Sequence, residues 1–258
     1  MEKEKDFARN LAYEVGEVLL RYWPGGESTR ELAQEQKSDG SLLTEADTAA
    51  NALILSKIQD TFPDDAILSE ESEDIVGETN RLWIVDPLDG TARFAAGHDD
   101  FNILIALCVN GQPVLGVSYF AAQDLLLQGV CGEPAAIWRG RVQTETCTLS
   151  YTESPQNVYV RGFDGKELPG WCKTDPLDSG EALRRVGCGE LDGVILRMGR
   201  LQQWDVAAPA AILSACGATI TDEKGEGIQF GLQAFPYNYF VATNGKIHDE
   251  VLSLFTAI

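Results

Sequence analysis

Apolar positions Phe7, Leu11, Ala12, Val15, Leu19 and Leu20 recur every three or four residues through 4–23, which predicts an amphipathic helix ended by Pro24-Gly25-Gly26. Beyond the polar loop Lys37-Ser38-Asp39-Gly40-Ser41, a second helical stripe follows at Ala50, Leu53, Ile54, Ile58 and Phe62. Thr44 and Asp47 in front of it fit a helix capping box, with Asp in place of Glu. The pattern then changes. Residues 66–68 form a short apolar run into Ser69-Glu70-Glu71-Ser72, and Leu82-Trp83-Ile84-Val85 leads straight into Asp86-Pro87-Leu88-Asp89-Gly90-Thr91. Runs of this length suit buried strands rather than helices. Pro87 cannot donate to a sheet ladder, so the second strand is expected to stop at or just past Asp86.

Residues 101–109 and 114–119 predict two strands joined by the turn Asn110-Gly111-Gln112-Pro113. Further strands are expected at 125–129, 135–138, 148–151 and 157–161, while 152–178 is rich in Pro, Gly and Asp and patterns weakly. A helical stretch at 181–186 precedes a strand at 194–196. Gln203-Trp204-Asp205 opens a helix of small residues that Gly217 ends. Strands at 218–221 and 239–243 precede a short helix from His248. Hairpin-connected strands set between helices predict an α+β layered arrangement.

Of the 258 residues, 44% are apolar and 23% charged, ordinary proportions for a globular protein with a substantial core. No run approaches the roughly 18 apolar residues of a membrane span, and the charged start Met1-Glu2-Lys3-Glu4-Lys5-Asp6 lacks a signal peptide's apolar segment. A cytoplasmic protein without a membrane partner is expected. Six cysteines without a CxxC pair read as reduced thiols. A formal charge of −20 opposes sequence-independent nucleic-acid binding. The same charge means that a phosphate site here needs bound cations to invert the local sign.

Taken singly, the acids have ordinary explanations. Asp47 and Asp205 fit helix caps, Asp86 and Asp89 fit a turn, and Glu70 and Glu71 fit an exposed loop after an edge strand. Together they stand where elements change type, and layered α/β proteins collect ligands at such ends. Two acids at the end of a buried strand are costly unless something cationic neutralises them, which points to a divalent metal. Gly90 allows close backbone approach, and the amides of Gly90 and Thr91 would face an anion if a helix starts there.

Ser69-Glu70-Glu71, Trp83-Ile84-Val85-Asp86-Pro87-Leu88-Asp89-Gly90-Thr91 and Trp204-Asp205-Val206-Ala207-Ala208 resemble, in order and separation, the signatures of the inositol monophosphatase superfamily. The segment from Lys37 to Thr44-Glu45-Ala46-Asp47 joins them. The likeness covers nearly the whole chain and is faint only at 152–178. These are magnesium-dependent, typically lithium-sensitive phosphomonoesterases. The resemblance implies an α/β (α+β) chain folded as a layered α-β-α-β-α sandwich of the inositol monophosphatase and fructose-1,6-bisphosphatase type. Residues 1–150 would form one half with most of the metal ligands. Residues 151–258 would supply Asp205 and substrate contacts. It further implies two or three Mg²⁺ ions on Glu70, Asp86, Asp89, Asp205 and the main-chain carbonyl of Leu88. Glu70 and Thr91, with Asp47 behind, would orient the attacking water, while Asp89, Gly90, Thr91 and Asp205 would touch substrate. Lys37 would shape the site's electrostatics.

The implied partner is a small phosphorylated metabolite, and relatives include monomers and homodimers. In the inositol-selective branch an acid that chelates hydroxyls lies seven positions before the Trp-Asp aspartate; Met198 stands there. Asp99-Asp100-Phe101-Asn102-Ile103-Leu104-Ile105-Ala106 is similar to the corresponding stretch of 3'(2'),5'-bisphosphate nucleotidases, which convert 3'-phosphoadenosine 5'-phosphate to AMP and phosphate. Arg93 or Arg200 would then meet the second phosphate. The alternatives are an inositol-1-monophosphatase or a related sugar or polyol phosphatase. A third, of a different class, is an inactive metal-binding regulatory protein, which would have no need of Thr91 or the full acid set. The haloacid-dehalogenase pattern Asp-x-Asp-Gly-Thr does not fit, because two residues separate Asp86 from Asp89.

Overall fold

A computed structural model describes residues 1–26, 33–36, 42–164, 168–174 and 176–256. The loop containing Lys37 lies outside the described residues. The elements run α1 (Glu2–Tyr22), β1 (Gln34–Gln36), β2 (Leu42–Thr44), α2 (Glu45–Thr61), β3 (Ala66–Ser69), β4 (Arg81–Asp89), α3 (Thr91–Ala95), β5 (Asn102–Val109), β6 (Gln112–Phe120), β7 (Leu125–Val130), β8 (Ala136–Arg139) and β9 (Val142–Thr146). They continue β10 (Val158–Arg161), β11 (Cys172–Lys173), α4 (Ser179–Gly187), β12 (Gly193–Arg197), α5 (Gln203–Ala215), β13 (Thr219–Thr221), β14 (Tyr239–Thr243) and α6 (His248–Thr256). Seven strands form one sheet in chain order from β3 to β9, and a second sheet is ordered β11-β10-β12-β14-β13.

Alternation along the strands builds the layers. Trp83 and Val85 of β4, with Ile103 and Ile105 of β5, face Leu11, Val15, Ile54 and Ile58 of α1 and α2. The intervening Ile84, Leu104 and Ala106 face the opposite way, onto Leu183, Val206 and Ala210 of α4 and α5. Those helices also cover Val194, Leu196 and Phe240 of the second sheet. On that sheet's far side, Val158, Ile195 and Val241 pack against Val251 of α6. The result is the expected α-β-α-β-α sandwich.

Helix α5, which carries Asp205 at its start, sits unusually close to the large sheet because β6 and β7 offer glycines beneath it. A Cβ on Gly116 would lie 2.2 Å from the Ala208 carbonyl oxygen, and one on Gly129 would lie 2.4 Å from Ile212 Cα. Backbone cannot yield as a side chain can. Gly129→Val is therefore expected to cost about 3 kcal/mol, or roughly 6–12 °C in a thermal melt.

Several local expectations are corrected. Strand β4 does not stop at Asp86 but pairs with β5 as far as Asp89, because a register shift between Asp86 and Asp89 absorbs Pro87. Residues 148–151 are not a strand: the Ser150 and Thr152 carbonyls accept from the Asn244 side-chain amide instead of a ladder. Strand β9 was not foreseen, and all five of its residues are exposed. All six cysteines are free thiols, and among the described residues no helix is long and apolar enough to cross a membrane.

Candidate active site

The site forms where β4 ends, α3 begins and α5 starts. Asp86 and Asp89 project from the bulged end of β4 and are 1% and 6% exposed. Asp205 comes from the first turn of α5, where its Oδ2 accepts the Gln202 amide at 2.6 Å. The cap residue is Gln202 rather than Asp205, which stands third in the helix and completes a capping box with it; this placement also brings Asp205 to the other two. One carboxylate oxygen of each of Asp86, Asp89 and Asp205 falls within 4.8 Å of the others. Glu70, half-buried just after β3, hydrogen-bonds Asp86.

Burial combined with like charge pushes the three aspartate carboxyls up. Asp86 is raised well above the carboxylate range by desolvation and then by Glu70, Asp89 and Asp205. Asp89 is raised by desolvation, then by Asp178 and Asp205, against the opposing hydrogen bond from Asn102 Nδ2 at 2.8 Å. Desolvation carries Asp205 to about 7, against the opposing Gln202 amide and with Glu70 and Asp178 adding to the rise. A buried set of all-oxygen donors with mutual repulsion and little cationic relief fits a hard divalent cation.

Behind the carboxylates stands a second arrangement. Asp47 is buried at the start of α2, where it accepts from the Thr44 amide at 2.8 Å and the Thr44 hydroxyl at 2.6 Å. Its other oxygen lies 3.1 Å from Thr91 Oγ1, which is also 3.1 Å from the Leu88 carbonyl. The capping box foreseen for Asp47 and its place beside Thr91 therefore coexist. Gly90 adopts φ +84° and caps the short α3, whose first residue is Thr91. The positive φ lets the chain turn from strand to helix with Phe101 Cα close by.

Of the arginines, Arg93 places Nε on the Asp100 carboxylate, and its charge also bears on Asp178. Arg200 is exposed in the turn after β12. Met198 is 3% exposed within the core beside α5. Three residues not singled out by sequence reasoning join the site. Asn102 holds Asp89, and Asp178 sits at the start of α4. Arg161, at the end of β10, brings a positive charge to bear on Asp178 and Asp205. Asp178 followed by Ser179 before an amphipathic run carries a helix-start signal, but nothing in the run tells where that helix points.

The model of the family described as "Inositol monophosphatase family" matches residues 1–258, the whole chain. The chain belongs to this family. It is accordingly a phosphatase that hydrolyses phosphomonoesters of small molecules, in a magnesium-dependent family. It is 30% identical over 258 residues to "Fructose-1,6-bisphosphatase/inositol-1-monophosphatase" of Thermotoga maritima, covering 96% of this chain and 94% of that protein. It is 29% identical over 233 residues to "3'(2'),5'-bisphosphate nucleotidase CysQ" of Salmonella typhimurium, covering 85% and 91%. Among solved structures, Thermotoga maritima IMPase TM1415 superposes with a TM-score of 0.79 at 28% identity, covering 100% of this chain and 98% of that one.

Proposed function

We propose that this family member is a 3'(2'),5'-bisphosphate nucleotidase, releasing phosphate from 3'-phosphoadenosine 5'-phosphate to leave AMP. One observation carries the choice within the family. A cleft of about 500 Å³ is lined by Tyr159, Arg161, Phe163, Leu168 and Leu177, and the charge of Arg161 in that lining bears on Asp205 of the acidic cluster. Aromatic and aliphatic walls beside a guanidinium suit a base and a second phosphate better than a ring of hydroxyls. The buried thioether of Met198, a poor hydrogen-bond acceptor, favours the same choice over inositol.

Asp86, Asp89, Asp205, Glu70 and the Leu88 carbonyl would hold two or three Mg²⁺ ions. Bound there, Mg²⁺ would lower the pKa of a water and offset the charge of the phosphate and its leaving oxygen. The amides of Gly90 and Thr91 would receive the scissile phosphate. Glu70 and the Thr91 hydroxyl would orient the attacking water, and Asp47 would accept the hydrogen bond of Thr91 as the water gives up its proton. Arg161 takes the second-phosphate role, with Arg93 committed to Asp100. The division into 1–150 and 151–258 would then place the metal carboxylates of β4 in one half, and Asp205, Arg161 and the cleft in the other.

The test compares phosphate release from 3'-phosphoadenosine 5'-phosphate and from inositol 1-phosphate, each with Mg²⁺ and with added Li⁺. The bisphosphate should be the better substrate, and Li⁺ should inhibit. Arg161→Ala should lower kcat/KM for the bisphosphate about 10- to 100-fold while sparing 3'-AMP, which lacks the second phosphate. Faster turnover of inositol 1-phosphate would transfer the assignment to the polyol branch.

A further inference from the structure

Each aspartate of the acidic cluster has one oxygen already engaged by an N–H donor. Asp86 Oδ1 accepts the Leu88 amide at 3.0 Å, and Asp205 Oδ2 accepts the Gln202 amide at 2.6 Å. Asp89 Oδ2 accepts Asn102 Nδ2 at 2.8 Å. The first two donors are main-chain groups of the aspartate's own turn, whereas the third is a side chain from the neighbouring strand. Asn102 stands opposite Asp89 in the β4–β5 register and is wholly buried. Its own oxygen accepts the Ser118 hydroxyl of β6 at 3.2 Å, which holds the amide with its nitrogen toward the carboxylate. Helix α4 closes the same side. A Cβ on Gly180 would lie 2.5 Å from Asp89 Oδ2 and 2.2 Å from Asn102 Nδ2, so only glycine fits at that contact. Oδ2 of Asp89 is therefore walled in by a fixed donor and by backbone.

We infer that Asn102 is a positioning residue that confines Asp89 to a single cation-facing oxygen, and that it thereby biases the cluster toward Mg²⁺ over Ca²⁺. Mg²⁺ demands near-octahedral geometry and keeps several waters, while the larger Ca²⁺ takes about six to eight oxygens and readily grips both oxygens of one carboxylate. The two oxygens of a carboxylate subtend too narrow an angle for an octahedron. Carboxylates that each present one oxygen suit the smaller ion and deny the larger its chelate. Releasing Oδ2 of Asp89 would relax that discrimination. The inference rests on Asp89 binding the cation, as proposed above, but not on which phosphate ester is hydrolysed.

The test titrates chelated protein with Mg²⁺ alone or Ca²⁺ alone, without substrate, and reads the concentration of each ion that half-stabilises the fold against heat. Asn102→Leu keeps the approximate volume and has no donor. It should shift the ratio of the two midpoints about 10- to 100-fold in favour of Ca²⁺, the range expected when a hydrogen bond behind a metal ligand is removed. Ser118→Ala leaves Asn102 in place but frees its amide to turn, and should move the ratio the same way by about threefold. That variant loses only a hydroxyl, so it carries the test if Asn102→Leu does not fold. Wild type stabilised by Mg²⁺, with variants whose two midpoints rise equally, would overturn the inference while the cation reading of the cluster stands. A shift of the ratio toward Mg²⁺ would overturn it as well. If neither ion stabilises wild type, the cation reading itself falls and takes the inference with it.

Discussion

Asp89→Asn should lower kcat by at least about 100-fold while raising the melting temperature of the metal-free protein. Both effects come from one change of charge at nearly constant shape. As the proposed ligand, Asp89 contributes a negative oxygen whose removal weakens cation binding and the electrostatic stabilisation that depends on it. In the metal-free state the same carboxyl is 6% exposed and is repelled by Asp178 and Asp205. An amide there keeps an oxygen to accept the Asn102 side chain, which lies 2.8 Å away, and gives up the repulsion. Phosphate release and calorimetry on the chelated variant measure the two halves separately. A metal-free melt well below wild type would show that the carboxylate is needed for folding.

Chelated wild-type protein should lose stability as pH rises from about 4 to about 7, and Mg²⁺ should remove most of that loss. Asp86, Asp89 and Asp205 are held above the ordinary carboxylate range, Asp205 at about 7. An acid whose folded value is raised stabilises the fold below its unfolded value near 4, and that contribution disappears as pH climbs through the folded value. For Asp205 alone the change is on the order of 4 kcal/mol by that relation. Glu181, held low by Arg184 and Arg185 despite burial, acts in the opposite sense and loses its contribution on acidification. Comparing chelated and Mg²⁺-loaded melts at each pH cancels Glu181 and isolates the acidic cluster. Coinciding curves would mean that the three acids hold no cation.

The legible parts of the molecule were those in which chemistry and local pattern coincide. The run from Trp83 to Thr91 combines a buried strand with acids, a proline and a glycine, and both its element type and its importance could be read directly. Asp47 and Asp205 show a subtler case. The capping box read for Asp47 is present, and Asp205 joins a capping box as its third residue rather than as the cap; in both, the box fixes the carboxylate, so the ordinary and the functional explanations do not compete. Pro87 misled because a bulge lets a strand carry a residue without a donor, and the bulge depends on β5, not on β4 alone. Strand β9 left no trace because an exposed edge strand needs no apolar alternation. Arg161 and Asp178 lie in the poorly patterned region around 152–178. Their electrostatic reach onto the acidic cluster follows from where β10 ends and α4 begins, a tertiary fact without a local signature.

The acids of the cluster reach their meeting point by very different routes. Asp86 and Asp89 arrive together on β4, whereas Asp205 is delivered by α5, a helix wedged between the two sheets over Gly116 and Gly129. Until that wedge is seated, a nascent or refolding polypeptide has no place for a cation. Magnesium should therefore leave the early kinetic phases of refolding untouched and act only on the last. In that sense the ion would serve as a latch that closes once the rest of the molecule is assembled.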